Sequence, residues 1–270
     1  MTYAYAEHTS RNAGFLATEE QDRLRNASVF VCGVGGMGGA AVECLARIGV
    51  GRLVIADMDC FEVSNLNRQA FAWTDTVGRE KTAVVAEVLS RINPELRVET
   101  RGADWLADLP KILSDCRVIV NGMDDLRAGI ALYRQARIQG ATVVDAYTSP
   151  CPSVTVVRPE DPRPEERLDW PTVGVRLDAI TPDMLRDAFS LEVSHVMQSS
   201  RSLDRMDPEI VADILAGRRA RSSYAPIVTV AGNLMAFEAV NAVLEHPSTV
   251  GPEGYFFDPW AARVESGRQP

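Results

Sequence analysis

The first regular pattern in the chain is SVFVC at residues 28–32, an apolar run broken by nothing polar after its first residue. A run that short and that uniform fits a strand covered on both faces. After a cluster of glycines, apolar positions recur at helical spacing over 37–48, Gly49 stops them, and 52–56 is a second apolar run. Strand, glycine turn, helix and strand in that order predict a β-α-β unit. The alternation goes on with a helix over 79–92 closed by Asn93-Pro94 and a strand at 97–100. A short helix near 105–114, a strand at 117–122, a helix over 126–139 and a strand at 142–146 follow. Sustained alternation of this kind predicts a doubly wound sheet.

The flanks read differently. Residues 1–26 predict an arm and a helix, ATEEQDRLRNA, with Thr18 as its N-cap and acids in its first turn. Beyond residue 150 a strand, SVTVV, gives way to a proline-rich charged loop. Residues 181–220 then read as helical, with Thr181-Pro182 and Asp207-Pro208 as paired N-cap and first residue. Residues 225–245 form an apolar helix, and GYFFDPWAARVE predicts a closing strand pair. The chain thus divides into an arm and helix at 1–26, a doubly wound domain at 27–158, a variable helical insertion at 159–224, and a core helix and strands at 225–270 completing the same domain. The expected class is α/β: a Rossmann-like doubly wound, mostly parallel sheet with a C-terminal strand and helix extension.

Composition narrows the chemistry. With 270 residues there is ample chain for a buried core. The net charge of −9 argues against a binder that neutralises nucleic-acid phosphates in bulk. The five cysteines, Cys32, Cys44, Cys60, Cys116 and Cys151, include no C-x-x-C pair, which argues against a zinc ribbon. No basic-then-apolar leader opens the chain, and no apolar run reaches the roughly 18 residues of a membrane span. The expectation is a soluble protein of the reducing cytoplasm.

GVGGMG, Gly33 to Gly38, fits G-x-G-x-x-G between strand and helix. Its glycines allow a tight turn and close approach of backbone to phosphate, and the helix start offers free N–H groups. Asp57, at the end of the second strand, is placed to accept hydrogen bonds from ribose hydroxyls. These features leave NAD and ATP equally open. VSNLNRQAF, 63–71, points towards ATP. Its Arg68 is a planar fork for phosphate oxygens and Asn65 a neutral donor. Lys81 opens the next helix, and Asp124 follows a strand where a carboxylate can hold Mg²⁺. Strand C-termini share one crevice, so Gly36, Asp57, Arg68, Lys81 and Asp124 are expected to converge. Plainer roles stand beside these: a solvated Lys81, an Arg68 paired with Asp57 or Asp59, and an Asp124–Asp125 helix cap.

GVGGMGG, GVGRLVIADMDCFEVSNLNRQAF and VGREKTAVVAEVLSRINPE, in that order, resemble the ubiquitin-activating superfamily in its ThiF/MoeB branch, as does the later APIVTVAGNLMAFEAVNAVLE. The resemblance implies an ATP-dependent adenylyltransferase that uses Mg²⁺ to activate a carboxylate, usually the C-terminus of a small carrier protein or a peptide, releasing pyrophosphate. By motif, it implies a nucleotide-binding set of Gly33, Gly35, Gly36, Gly38, Asp57, Asp59, Asn65, Arg68, Lys81 and Asp125. Arg68, Lys81 and Asp124, the last on magnesium, would stabilise the reacting phosphates. Arg11 would reach the site of a partner subunit, which implies a homodimer.

Three departures from the family pattern stand out. The zinc-binding cysteines are missing, so no zinc is expected. Asp125 stands where an asparagine is usual. The crossover-loop cysteine has no match, leaving Cys151, in a Pro-Cys-Pro turn, as the one candidate nucleophile. His195 reads as packed or solvated. The basic run AGRRARSS, 216–223, reads as a solvated helix end or a docking patch for an acidic partner or tRNA. Other readings kept open are a tRNA-modifying ATP-dependent dehydratase of the same superfamily, an NAD-dependent oxidoreductase, and a nucleotide-binding partner protein without turnover.

Overall fold

The structure is a computed structural model and describes residues 3–148, 150–200 and 205–267. An eight-stranded sheet runs through it in the order β3-β2-β1-β4-β5-β6-β7-β8. Five strands are parallel: β1 Ser28–Cys32, β2 Arg52–Ala56, β3 Arg97–Arg101, β4 Val118–Asn121 and β5 Thr142–Asp145. β6 Ser153–Val157, β7 Tyr255–Asp258 and β8 Arg263–Ser266 add an antiparallel end. The order reverses at β1 and β4, so the carboxyl ends of β1, β2 and β4 open onto one crevice.

Among the described residues the helices are α1 Tyr5–His8, α2 Thr18–Asn26, α3 Gly36–Ile48, α4 Lys81–Ile92, α5 Trp105–Asp115, α6 Leu126–Gln139, α7 Pro164–Arg167, α8 Pro182–Ser200, α9 Pro208–Leu215 and α10 Ala225–Leu244. α3, α4 and α10 bury one face of the sheet in a core that includes Leu45, Ile55, Val85 and Met235. α5 and α6 bury the other around Phe30, Trp105, Ile119 and Leu132. The central strands β1 and β2 are therefore apolar on both sides, which is why the runs at 28–32 and 52–56 lack alternation.

Capping follows the sequence with one correction. Gly49 ends α3 in the left-handed conformation at φ 97°. The Thr181 hydroxyl accepts from the Met184 N–H (3.2 Å), and the Asp207 carboxylate from the Glu209 N–H (2.9 Å). Thr18, in contrast, is not the cap of α2 but its first residue. Ala17 is the N-cap, and Glu20 supplies the cap in reverse by accepting from the Ala17 N–H (2.8 Å).

The segment between β6 and α8 is fastened to α6 by a buried pair. Arg134 meets Glu165 at 2.6 Å and donates to the carbonyls of Val175 and Thr172. That anchors Trp170 against Ile130 and Ala188. α10 corrects a second expectation. By length and composition this helix could cross a bilayer, yet 56% of its apolar window is buried in the fold, where it packs along α3 and beneath β4 and β6.

Candidate active site

The glycine turn is built by close approach. Gly33 has φ +78°, and a Cβ there would stand 2.7 Å from the Gly122 carbonyl. A Cβ on Gly38 would stand 1.8 Å from the Gly33 oxygen, and one on Gly36 2.5 Å from Val228 of α10. Only bare backbone lets β1, α3 and the end of β4 meet here. The first N–H groups of α3 consequently face the crevice at the open end of β1.

Asp57 accepts the Val34 N–H (2.9 Å) and the Asp59 N–H (3.0 Å), so it shapes the turn as well as facing the crevice. Lys81 is buried at the start of α4. Its Nζ donates to Asp59 (2.8 Å) and lies 3.9 Å from Asp57. A lysine held between two carboxylates beneath a crevice is aimed by them, which is not the solvated role left open for it. Arg68 does not pair with either aspartate. One guanidinium nitrogen, Nη1, donates to the Ser64 carbonyl (3.0 Å) and to Asn67 (2.8 Å), and its remaining N–H groups have no partner among the described residues. Asn65 is buried and accepts from the Glu62 N–H (3.1 Å), holding the turn that carries Arg68. Asn67 donates to the Ser223 carbonyl (3.0 Å), tying this loop to the segment before α10.

One cavity of about 800 Å³ collects these groups: Gly33, Gly35, Gly36, Asp57, Asp59, Asn65, Arg68, Lys81, Asp124 and Asp125 all line it. Gly38 lies beneath the turn and not in the wall. Arg11, on an exposed turn, does not line its own chain's cavity, and neither does Cys151. Asp125 is the N-cap of α6, its carboxylate accepting from the Ala128 N–H (2.9 Å). That use turns its charge towards the helix start. Cys151 is fully buried, so the candidate nucleophile has no face open to an acyl group. Among the described residues no group of three or more His, Cys, Asp or Glu side chains forms a metal site. A magnesium ion here would rest on Asp124 and phosphate oxygens.

The chain belongs to the ThiF family. The family's profile matches residues 9–269. A tRNA threonylcarbamoyladenosine dehydratase of Bacillus subtilis is 43% identical over 89 residues, covering 33% of this chain and 35% of that one. A molybdopterin-synthase adenylyltransferase of Salmonella typhimurium is 36% identical over 132 residues, covering 46% and 53%. The chain thus spans between a third and about half of the length of these relatives. Among solved structures, Escherichia coli MccB with ATP superposes with a TM-score of 0.70 at 19% identity over 100% of this chain and 73% of that one, a likeness of fold.

Several ThiF-fold residues of this cavity were not singled out in the sequence. Gln69 is buried beside Gly35, and its Oε1 has no partner among the described residues. It stood inside the quoted 63–71 motif, and an amide there was the available signal. Asp145, at the end of β5, accepts from Asn121 (2.7 Å), from the Tyr133 hydroxyl (2.7 Å) and from the Ala146 N–H (2.7 Å). Burial still pushes its acid up. Glu192, on α8, lies in the wall with its acid pushed up by burial to about 7. Nothing in the local pattern of α8 marks Glu192, because its surroundings come from four other elements. His195 is packed: burial pushes it down to about 4, it stands against Arg167, and it meets Tyr147 and Phe256 edge to face. The basic run divides. Arg218 pairs with Asp213 at the end of α9, whereas Arg221 lines the cavity over the Phe189 ring (4.5 Å). YFFDPW divides too, with Phe256 in the core and Trp260 exposed.

Proposed function

We propose that this protein is an ATP-dependent adenylyltransferase of the ThiF family, activating a carboxylate as an acyl-adenylate with release of pyrophosphate. The observation that carries the reading is the convergence of the glycine turn, the Arg68 loop, buried Lys81 and Asp124 on one cavity. The acceptor carboxylate attacks the α-phosphorus as the bond to pyrophosphate breaks. Negative charge grows on the α-phosphate and the leaving group, where Arg68 and Lys81 stabilise it. The carboxylate is already ionised at neutral pH, so no general base is required. Asp124 would hold Mg²⁺, which spreads the charge of the leaving pyrophosphate.

The acceptor in this reading is the C-terminal carboxylate of a carrier protein or peptide, and the setting is the cytoplasm, where thiols stay reduced. The enzyme acts as a homodimer in which Arg11 serves the neighbouring cavity. The outward face of α10 supports this, with Phe237 at 64% and Val230 at 45% exposed. Mixing Arg11→Ala with Lys81→Ala protein tests it: each is inactive alone, and the mixture regains partial activity because one site of each mixed dimer is intact. A mixture no better than its parts contradicts the sharing of Arg11.

ATP–pyrophosphate exchange driven by source-cell extract tests the reaction, with Lys81→Ala as control. Exchange supported by the macromolecular fraction, surviving ribonuclease and lost to protease, identifies a protein or peptide acceptor. Exchange with only small molecules overturns that part. The second reading, a tRNA-modifying dehydratase, is favoured by the Bacillus subtilis relative and weighed against by the −9 charge. It predicts that ribonuclease, not protease, abolishes the activity. An NAD-dependent enzyme would be indifferent to Arg68→Ala.

A further inference from the structure

The cavity does not end at the nucleotide groups. It continues beneath α8 and α9 into a chamber whose walls are largely apolar, with Phe189, Val196 and Ile214 among them. Six charged groups face this chamber or stand close behind it. Five are engaged at least in part: Arg163 pairs with Glu165 and Glu166, and Glu165 with Arg134. Asp145 has three donors of its own. Arg167 stands against His195 (3.2 Å) and Tyr147. Arg221 lies over the ring of Phe189.

Glu192 is the exception. Among the described residues it makes no hydrogen bond and no ion pair, though its carboxyl group lies in the cavity wall. Arg221 and Arg167 act on it only from beyond ion-pair distance, and Asp145 opposes them. A lone carboxylate against apolar walls is destabilising in the empty protein, and burial accordingly raises its acid to about 7. A second group nearby is also unmatched. Trp170 is buried in the cavity wall with its Nε1–H lacking an acceptor. It belongs to the same apolar cluster as Ala188, one helical turn before Glu192, and its Nε1 is closed off from the chamber.

We infer that this chamber receives the acceptor by a cationic group, with Glu192 serving as its counter-charge. The substrate class is a carboxylate that also bears an ammonium or guanidinium, as at the end of a peptide with lysine or arginine near its terminus. The apolar walls suit the methylene stem of such a side chain. Glu192 is here a specificity residue and takes no part in the phosphoryl step. The inference rests on the adenylation reading and narrows its acceptor.

The test is ATP–pyrophosphate exchange with free lysine and with short peptides, alike except that lysine, norleucine or glutamate is scanned over the last four positions. Wild type, Glu192→Gln and Glu192→Lys are compared, and unchanged ATP affinity in both variants reports an intact fold. Wild type is expected to prefer the lysine-bearing acceptors. Glu192→Gln lowers exchange with them on the order of a hundredfold, leaving neutral acceptors little changed. Glu192→Lys moves the preference to glutamate. Exchange with free lysine alone would assign a small-molecule acceptor, and exchange with peptides alone a chain terminus; either supports the chamber. Equal use of norleucine and lysine acceptors overturns the inference, as does exchange driven by extract that no cationic probe reproduces. Failure with every probe and with extract, wild type included, removes the adenylation reading and this inference together.

Discussion

The two ends of the cavity are built on opposite principles. At the nucleotide end the principal charged groups are each steadied by a local partner: Lys81 by Asp59, Asp57 by two N–H groups, Arg68 by the Ser64 carbonyl. These contacts fix the geometry before any ligand arrives, which is what stabilising a developing charge demands. Beneath α8 the walls are apolar, and Glu192 and the Trp170 Nε1 are left without partners. In the proposed reaction, one end would carry the part that is the same for every carboxylate, and the other the part that depends on which carboxylate it is.

Breaking the nucleotide end is expected to have the largest effect. Lys81→Ala should lower pyrophosphate exchange on the order of 10²–10³-fold, since it removes a positive charge aimed at the phosphates. Exchange within tenfold of wild type would place the chemistry elsewhere. Gly38→Ala comes next. Its Cβ would meet the Gly33 oxygen at 1.8 Å, and backbone must move to admit it. Thermal unfolding should register a loss of at least about 1–3 kcal/mol together with weakened ATP binding.

Sharpening the other end calls for a smaller, pH-dependent change in the opposite direction. The folded protein holds the Glu192 proton up to about pH 7, against an ordinary value of 4.5. The cost of ionising it in the fold is therefore absent below 4.5 and complete above 7. Glu192→Gln should then raise stability at pH 8 by about 1–3 kcal/mol and leave it nearly unchanged at pH 4. The groups around it are Asp145 on β5, Tyr147 after it, Arg167, Arg221, and His195 on α8 itself. His195, held neutral by burial down to about 4, titrates in both proteins, so their difference isolates Glu192. A variant less stable at pH 8 would mean that Glu192 has a structural partner after all. The smallest effect belongs to Asp125→Ala, about 1 kcal/mol for a lost helix cap with ATP affinity intact. A large loss of ATP binding would return Asp125 to the nucleotide set.

The sequence was most readable where function rests on local backbone geometry. Glycine spacing, the apolar runs and the Asn-Pro stop translate into β1, α3, β2 and α4 because each is determined within a few residues. The placement of Lys81 and Arg68 was readable too, since the crossover of a parallel sheet sends strand ends to one crevice. Neighbours that meet only through the fold were not. Asp145 meets Tyr133 and Asn121 from two other elements, and Glu192 faces groups from four. A lone acid within a helix carries no local mark of such company. Cys151 failed in the reverse sense: its Pro-Cys-Pro turn read as a loop, and the fold buries it completely.

Val228 and Gly232 of α10 touch the first turn of α3 so closely that a Cβ on Gly232 would lie 2.4 Å from the Met37 carbonyl. The turn encoded by residues 33–38 is thus completed by a helix made much later, at Ala225–Leu244. A nascent polypeptide that has just emerged past β5 owns every strand of the parallel sheet and still lacks the backing of its glycine turn. Full backing of the glycine turn must wait until α10 has been made, and a fragment ending before α10 would leave part of one face of that sheet uncovered.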